Sequence, residues 1–419
     1  MSANYKLYKV MDVLKPALTK VVPLSFLQEK KRQYINWVTK RLKYEKIAPF
    51  DRSGFPDGIN LIGPIQDQTG LGQSCRLLAN AIDAAGIPHS IVEYHATKHR
   101  GDLDCSFDDK ISNEFKYNIN IFHINAHEFT MAYQQIGKRH WDGHYNIGFW
   151  LWELEEFPEE WIGCIDILDE VWTPSEFVSN AIRKVTDKPV KTVPYIIDAP
   201  TDEKYNRKYF GLPEDMFLYL MMYSSDSMIE RKNPVGALEA FKRAFDKNQK
   251  DVGLVIKING KNQDDIDYIS SFLGGYKNVY FLTDRMPKVA VNSLVKDVDV
   301  FVSLHRAEGF GLVMAEAMLN GTPCIATNWS ANTEFMNDDV ACMVPYQKVS
   351  TAKRIGPYKK GSVWAEPDID KAAAFMKDLY QDADKKDSYI KAAQKEIEQK
   401  LGKENITCIL NNEYNRILK

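Results

Sequence analysis

Residues 298–327 read VDVFVSLHRAEGFGLVMAEAMLNGTPCIAT, and their order decides the fold class. Val298–Leu304 is rich in β-branched and aromatic residues and reads as a strand. A loop over 305–310 follows, then a helix over about 311–319. That helix stops at Asn320-Gly321, and a second strand begins after Pro323. A strand feeding a helix that feeds another strand is a parallel-sheet unit. The order sets Gly309, Phe310, Gly311 and Leu312 at the junction, where first-turn backbone N–H groups lack intrahelical partners. Free donors and the positive end of the helix dipole attract an anion such as a diphosphate, and glycine leaves the approach open. Glu308 precedes the junction and Glu316 lies a little over one turn into the helix. A carboxylate at Glu316 can accept two hydrogen bonds from a ribose diol, and one at Glu308 can face the group the phosphate carries. A bare strand-to-helix turn with a solvated glutamate is the competing reading; it leaves unexplained why two glutamates bracket the same turn.

Outward from this unit the alternation continues. From residue 59, strand patterns occur at GINLIGPI, IPHSIVEY, INIFHIN, YNIGFWLW, DEVWTP and VKTVPYIID, with helices expected at SCRLLANAIDAAG, PEEWIGCIDIL and SEFVSNAIRKV. The polar run DAPTDEKYNRKYFGLPED (198–215) interrupts the pattern. Alternation restarts at FLYLMMY and runs through NPVGALEAFKRAF, GLVIKING, NVYFLTD and PKVAVNSLVKDV into the opening stretch. The expectation is an α/β chain of two Rossmann-like doubly wound domains facing an interdomain cleft. Its parts are a basic extension over 1–55, an N-terminal acceptor-side domain over 56–200, a donor-binding domain over 201–395, and a helix over 396–419 packing back toward the N-terminal domain.

EGFGLVMAE (308–316) resembles the Glu-x7-Glu signature of retaining glycosyltransferases, family 4 especially, which carry the GT-B fold. The similarity runs from about Asn60 to about Val344. It implies that Glu308 contacts the donor sugar, Glu316 the ribose hydroxyls, and the backbone from Gly309 to Leu312 the phosphates. Arg231 and Lys232 precede a helix expected from Pro234, a favoured first-turn residue. Two adjacent cations there can neutralise a diphosphate, the arginine as a bidentate fork; a solvated basic helix start is the alternative. In the family pattern a lysine in this region holds phosphate, and Lys232 matches it. The Gly-Arg pair usual upstream is replaced by YSSDS (223–227), which leaves Arg231 as the substitute.

Gly70 and Gly72 resemble the family's N-terminal glycine loop, and a plain turn fits them equally well. His127 and Glu153, read as strand ends, are candidates for touching the transferred sugar, the acceptor, or neither. The aromatic run Trp141, Phe149, Trp150, Trp152, Phe157 and Trp161 fits a core better than a sugar platform. Asp102-Leu103-Asp104 and Asp297-Val298-Asp299 read as loop and helix-end chemistry. The resemblance implies cations and helix N-termini in place of a metal, hence no required metal and no cofactor. The implied reaction moves a hexose-type sugar from a nucleoside diphosphate to an acceptor glycan hydroxyl. A non-catalytic GT-B subunit supporting a partner transferase stays open, as does a nucleotide-sugar epimerase.

The 419 residues carry a net charge of -3 with 44% hydrophobic and 26% charged residues, which gives no reason to expect nucleic acid or a membrane-embedded body. Six scattered cysteines form no CxxC pair, consistent with a reducing cytoplasm. Residues 1–46 are the exception, holding eleven Lys/Arg against three acids. A basic, proline-interrupted amphipathic segment fits an anionic membrane surface, and a solvated extension packed on the body fits as well. The membrane reading points to the inner face of the cell membrane and a lipid-linked acceptor of envelope polysaccharide.

Overall fold

The computed structural model describes residues 22–95, 103–260 and 262–419. These divide into two units. One comprises the described residues up to Trp152 with Glu156–Ile196 and Lys403–Lys419; the other comprises Glu153–Glu155 and Ile197–Gly402.

The first unit begins with helix α1 (Leu24–Thr39) and then alternates β1 (Ile59–Gly63), α2 (Gly70–Ala84), β2 (His89–Glu93), β3 (Ile119–Phe122), α3 (Ala126–Ile136), β4 (Tyr145–Phe149), β5 (Glu170–Thr173), α4 (Glu176–Arg183) and β6 (Val190–Thr192). The sheet order is β2-β1-β3-β4-β5-β6, with every pair parallel. Its central strands β1 and β3 are buried along their whole length, as a parallel sheet covered on both faces requires. The six strands read from the sequence are the six of this sheet. Of the aromatic run, all but the half-buried Trp161 belong to the core.

Two local expectations fail here. Residues 159–167 wind as a 3-10 helix rather than an α-helix. Gly163 in that segment lies so close to the end of α1 that an added Cβ would stand 2.7 Å from the Thr39 carbonyl oxygen. His127 does not end a strand: β3 stops at Phe122, Asn125 caps α3 in an extended conformation, and His127 falls in the first helical turn.

The second unit runs β7 (Phe217–Ser224), the single turn α5 (Ile229–Lys232), α6 (Pro234–Ala244), β8 (Val252–Asn259), α7 (Gln263–Ser270), β9 (Val279–Leu282), α8 (Lys288–Asp297), β10 (Val300–Ser303), α9 (Leu312–Leu319), β11 (Cys324–Thr327) and β12 (Cys342–Val344). Its parallel sheet has the order β12-β11-β10-β7-β8-β9. The direction of winding therefore reverses between β7 and β10. An antiparallel hairpin, β13 (Tyr346–Ser350) with β14 (Val363–Pro367), stands apart from that sheet. Helices α10 (Ile369–Gln381) and α11 (Ala383–Leu401) complete the unit, α10 packing on α6.

Gly402 ends α11, and the last helix, α12 (Lys403–Ile417), belongs to the first unit, where it rests on α2. Arg416 anchors it through both oxygens of Glu170, at 2.8 and 2.6 Å. Glu170 is 0% exposed and also accepts from Trp172 Nε1 and the Tyr145 hydroxyl, so its buried charge is fully satisfied.

Candidate active site

In open α/β sheets ligands bind beyond the carboxyl ends of the strands, where the strand order reverses. In the second unit that point lies between the loops leaving β7 and β10, and these loops carry Arg231, Lys232 and Glu308. After β7 the chain enters α5, then places Asn233 in the left-handed region at φ 53°. The Asn233 side chain accepts from Gly236 N, capping α6, and donates to the Leu304 carbonyl at the end of β10 at 2.9 Å. One residue thus ties the two loops together. Arg306 N donates to the Arg231 carbonyl at 2.8 Å, and Arg231 Nη1 returns a bond to the Ala307 carbonyl at 2.8 Å.

Four ionisable groups meet in this frame. Lys232 Nζ donates to Glu308 Oε1. Arg231 Nη1 lies 3.2 Å from Glu308 Oε2, and Arg231 Nη2 lies 3.8 Å from Glu153 Oε1. Glu153 Oε2 accepts from the Tyr358 hydroxyl at 3.0 Å. Burial alone would raise the Glu308 carboxyl, but Lys232 and Arg231 outweigh it and bring its pKa down to about 2. Burial also lowers Lys232, while Glu308 and Glu153 overcome burial and raise Arg231. The cluster holds two cations against two carboxylates, and Arg231 Nε is buried with no hydrogen-bond partner.

Gly311 caps α9 at φ 99°, where an added Cβ would stand 2.7 Å from Met314 Cε, so the junction accepts only glycine. Glu308 N donates to Ser330 Oγ at 2.9 Å, which fixes the carboxylate's approach from the far side. Glu316 is 1% exposed. Its Oε2 accepts from Lys288 Nζ at 2.5 Å at the start of α8, and its Oε1 is buried without a partner. Burial raises the Glu316 pKa and Lys288 offsets part of the rise. The solvated-helix alternative for Glu316 is therefore removed.

Several contributors carried no sequence signal. Lys288 opens a helix 28 residues before its partner, Ser330 and Tyr358 lie in loops, and His305 looked like any residue of the motif. His305 is buried, its Nε2 facing the Trp329 carbonyl at 3.2 Å and Asn332 Oδ1 at 3.1 Å. Its Nδ1 faces the Ser303 hydroxyl at 2.9 Å and carbonyl at 3.1 Å, and burial lowers its pKa. Asp299 of the second acidic triplet is consumed structurally, accepting from Leu218 N and Arg207 at 2.9 Å. Asp102 of the first lies outside the described residues, as do residues 1–21 of the basic extension.

The family model described as "Glycosyl transferases group 1" matches residues 207–396. Those residues are a glycosyl transferases group 1 domain. The chain is a glycosyltransferase, and its two parallel-sheet α/β units have the GT-B fold. The Anabaena protein HepE, crystallised with UDP and glucose, is similar at TM-score 0.63 and 14% identity over 86% of this chain and 100% of that one. A glycosyltransferase from Rickettsia africae matches at TM-score 0.64 and 12% identity over 87% and 100%. Sucrose-phosphate synthase from Thermosynechococcus elongatus matches at 0.63 and 14% over 86% and 99%. Curated proteins compared by sequence give no match.

In the first unit of the glycosyltransferase, Thr69 caps α2 by accepting from Gly72 N at 3.2 Å. A Cβ on Gly72 would stand 2.0 Å from the Asp67 carbonyl oxygen, whereas one on Gly70 would meet nothing within 4 Å. His127 is half exposed and lies 3.6 Å from Glu128 Oε1. Glu153, which the sequence grouped with it, instead joins the charged cluster of the second unit.

Proposed function

We propose that this glycosyltransferase moves a hexose from a nucleoside diphosphate to a hydroxyl of an acceptor glycan with retention of anomeric configuration, in the manner of family 4. The convergence of Arg231 and Lys232 on Glu308 at the β7–β10 reversal carries the reading. The chemical difficulty is negative charge gathering on the departing diphosphate while the sugar becomes oxocarbenium-like. Arg231 and Lys232 are preorganised cations for that charge, and the α9 N-terminus with Gly309, Phe310, Gly311 and Leu312 adds amides and dipole. Glu308, ionised down to about pH 2, faces the sugar and stabilises positive charge on it. The buried, unpartnered Glu316 Oε1 suits a ribose hydroxyl as donor. With the charge met by side chains and a helix end, no metal and no cofactor are required. Retention follows from same-face attack, in which a leaving phosphate oxygen takes the acceptor's proton. Glu153 positions Arg231, and His127, Gly70 and Gly72 are held in reserve for the sugar and acceptor side.

The likeness to a protein crystallised with UDP and glucose supports a UDP-sugar donor. The acceptor reading is a lipid-linked glycan of an envelope polysaccharide, reached from the inner face of the membrane. Its support is α1, which is rich in Lys and Arg and leaves Phe26 53% and Trp37 46% exposed. No helix among the described residues is long and apolar enough to cross a membrane.

Thermal stabilisation by UDP, GDP and dTDP tests the donor. A ligand at about 100 times its Kd adds ~2.7 kcal/mol. One of the three should raise the Tm and its sugar derivatives should be hydrolysed slowly without acceptor. No stabilisation by any of them would sink the proposal.

A further inference from the structure

The loop that follows β11 holds one residue in a conformation its type resists. Among the described residues, Asn233 and Ser330 are those other than glycine with a positive φ. Asn233, at φ 53° and ψ 52°, lies in the left-handed helical region that asparagine tolerates. Ser330, at φ 76° and ψ -157°, lies in a region used almost only by glycine, because a Cβ there crowds its own backbone. Such strain persists where the surroundings over-determine the residue, and here they do. Trp329 N donates to the Thr327 carbonyl at 2.8 Å, and the Ser330 carbonyl accepts from Thr333 N at 3.2 Å and from Thr333 Oγ1 at 2.8 Å. Asn332 Nδ2 donates to the Thr327 carbonyl at 3.1 Å while its Oδ1 faces His305 Nε2 at 3.1 Å. The loop is therefore tied at once to the end of β11 and to the β10–α9 loop.

What the strain achieves is visible at Glu308. Its N–H donates to Ser330 Oγ at 2.9 Å, and its carbonyl accepts from Ala331 N at 3.3 Å. Both peptide groups that flank the Glu308 Cα are thus held by consecutive residues of one loop, while Arg231 and Lys232 hold the carboxylate. Glycine at 330 would relax the backbone, but it carries no hydroxyl and would leave the Glu308 amide without this acceptor. Ser330 is itself buried, and the Glu308 side chain is 12% exposed, so water is a poor replacement there.

We infer that Ser330 is a positioning residue for sugar transfer: its strained backbone aims the hydroxyl at the Glu308 amide and so fixes the direction from which the Glu308 carboxylate meets the sugar. The role in turnover rests on the proposed transferase reading; the clamp on the Glu308 backbone does not. A carboxylate that must meet a developing positive charge loses its effect when free to swing, since a misplacement of about 1 Å can lower a rate on the order of 10²-fold.

Two variants separate the hydroxyl from the strain. Ser330→Gly removes both, and Ser330→Ala removes the hydroxyl and keeps the strain, so the glycine variant should have the higher Tm of the two. In both, kcat for turnover of the preferred nucleotide sugar should fall about tenfold while the donor KM stays within about twofold, the pattern of an interaction made in the transition state. Amide exchange at residue 308 should quicken about tenfold or more in both, as a lost hydrogen bond requires. On a Glu308→Gln background Ser330→Gly should lower kcat no further, because the residue it acts through is already disarmed. A native kcat in either variant, the same fold-loss on the Glu308→Gln background, unchanged exchange at residue 308, or a Tm for Ser330→Ala at or above that of Ser330→Gly would overturn the inference. A native protein that turns over no nucleotide sugar would instead defeat the transferase reading, and the exchange rates would still decide the clamp.

Discussion

At the β1–β3 reversal of the first unit a neutral network around His123 is sealed in, with Arg76 paired to Asp104 beside it; at the β7–β10 reversal of the second the groups that meet are ionised. His123 follows β3, fully buried, with Nε2 2.7 Å from Ser74 Oγ, which is in turn bonded to the Tyr195 hydroxyl. Burial pushes the imidazole pKa down to about 3. An added Cβ on Gly63, at the end of β1, would stand 2.9 Å from Cys75 Sγ and 3.1 Å from His123 Cβ, so that crevice is filled by the protein itself. Arg231, Lys232, Glu153 and Glu308 occupy the corresponding place in the second unit as charges. The same strand geometry has been given to packing in one sheet and to charge chemistry in the other.

The largest test of this contrast is catalytic. Lys232→Met should lower the transfer rate about 10²–10³-fold, the usual cost of removing one preorganised charge-stabilising donor. Ser74→Ala should leave the rate unchanged, since the Ser74–His123–Tyr195 network is structural. Steady-state kinetics with matched Tm values checks both, and an equal loss in the two variants would erase the distinction.

Acid should find the two sites in sequence. His123 has its pKa depressed from 6.5 to about 3 in the fold, so the unfolded chain takes up the proton first. Its stabilising contribution is complete above pH 6.5 and falls as the pH drops toward 3, about 2–3 kcal/mol being lost by pH 4.5. Glu308 is depressed from 4.5 to about 2, so its contribution is complete above pH 4.5 and disappears only between there and pH 2, about 3 kcal/mol in all. Hydrogen exchange between pH 7 and 4.5 should therefore show the first unit loosening while the second holds. His123→Gln should flatten that part of the curve, and Glu308→Gln should flatten only the part below it. Simultaneous loosening in both variants would show that neither group governs its unit.

Glu316 offers a smaller effect. Glu316→Ala should weaken the nucleoside diphosphate by about tenfold, the loss of one or two hydrogen bonds to a ribose. His127→Ala, in the other unit, should leave that affinity alone. Unchanged binding in Glu316→Ala would withdraw the ribose role from a residue whose unpartnered oxygen is its main credential.

Residues 298–327 made the fold readable because strand, glycine junction, helix and turn each left a local mark, and the same marks recur along both sheets. The pairing of Arg231 and Lys232 with Glu308, 77 and 76 residues apart in sequence, was accessible only through topology: a Rossmann-like order brings the first and fourth strand loops together. Contacts made by residues without such an order were not legible. Lys288 reaches Glu316 from the preceding helix, Tyr358 reaches Glu153 from the turn of a hairpin whose two-residue period covers only five residues a side, and α3 was hidden by the apolar run of β3 leading directly into it. His123 was passed over for His127 because a buried histidine and an exposed one look alike in a string of letters.

The glycine pair of the first unit gives the finest test. Gly72 is forced by the Asp67 carbonyl, so it would be glycine whether or not anything binds there. Gly70 has no such constraint, opens α2 at a helical position, and faces empty space. If the loop only turns the chain, Gly70→Ala should stabilise the protein by about 0.4–1 kcal/mol through the unfolded state and leave every ligand's affinity untouched. If the backbone there meets phosphate or acceptor, the added methyl should instead weaken that ligand while the Tm still rises. The two readings predict the same change in stability and differ in binding, unchanged in one and weakened in the other, so a melting curve recorded with and without nucleotide separates them.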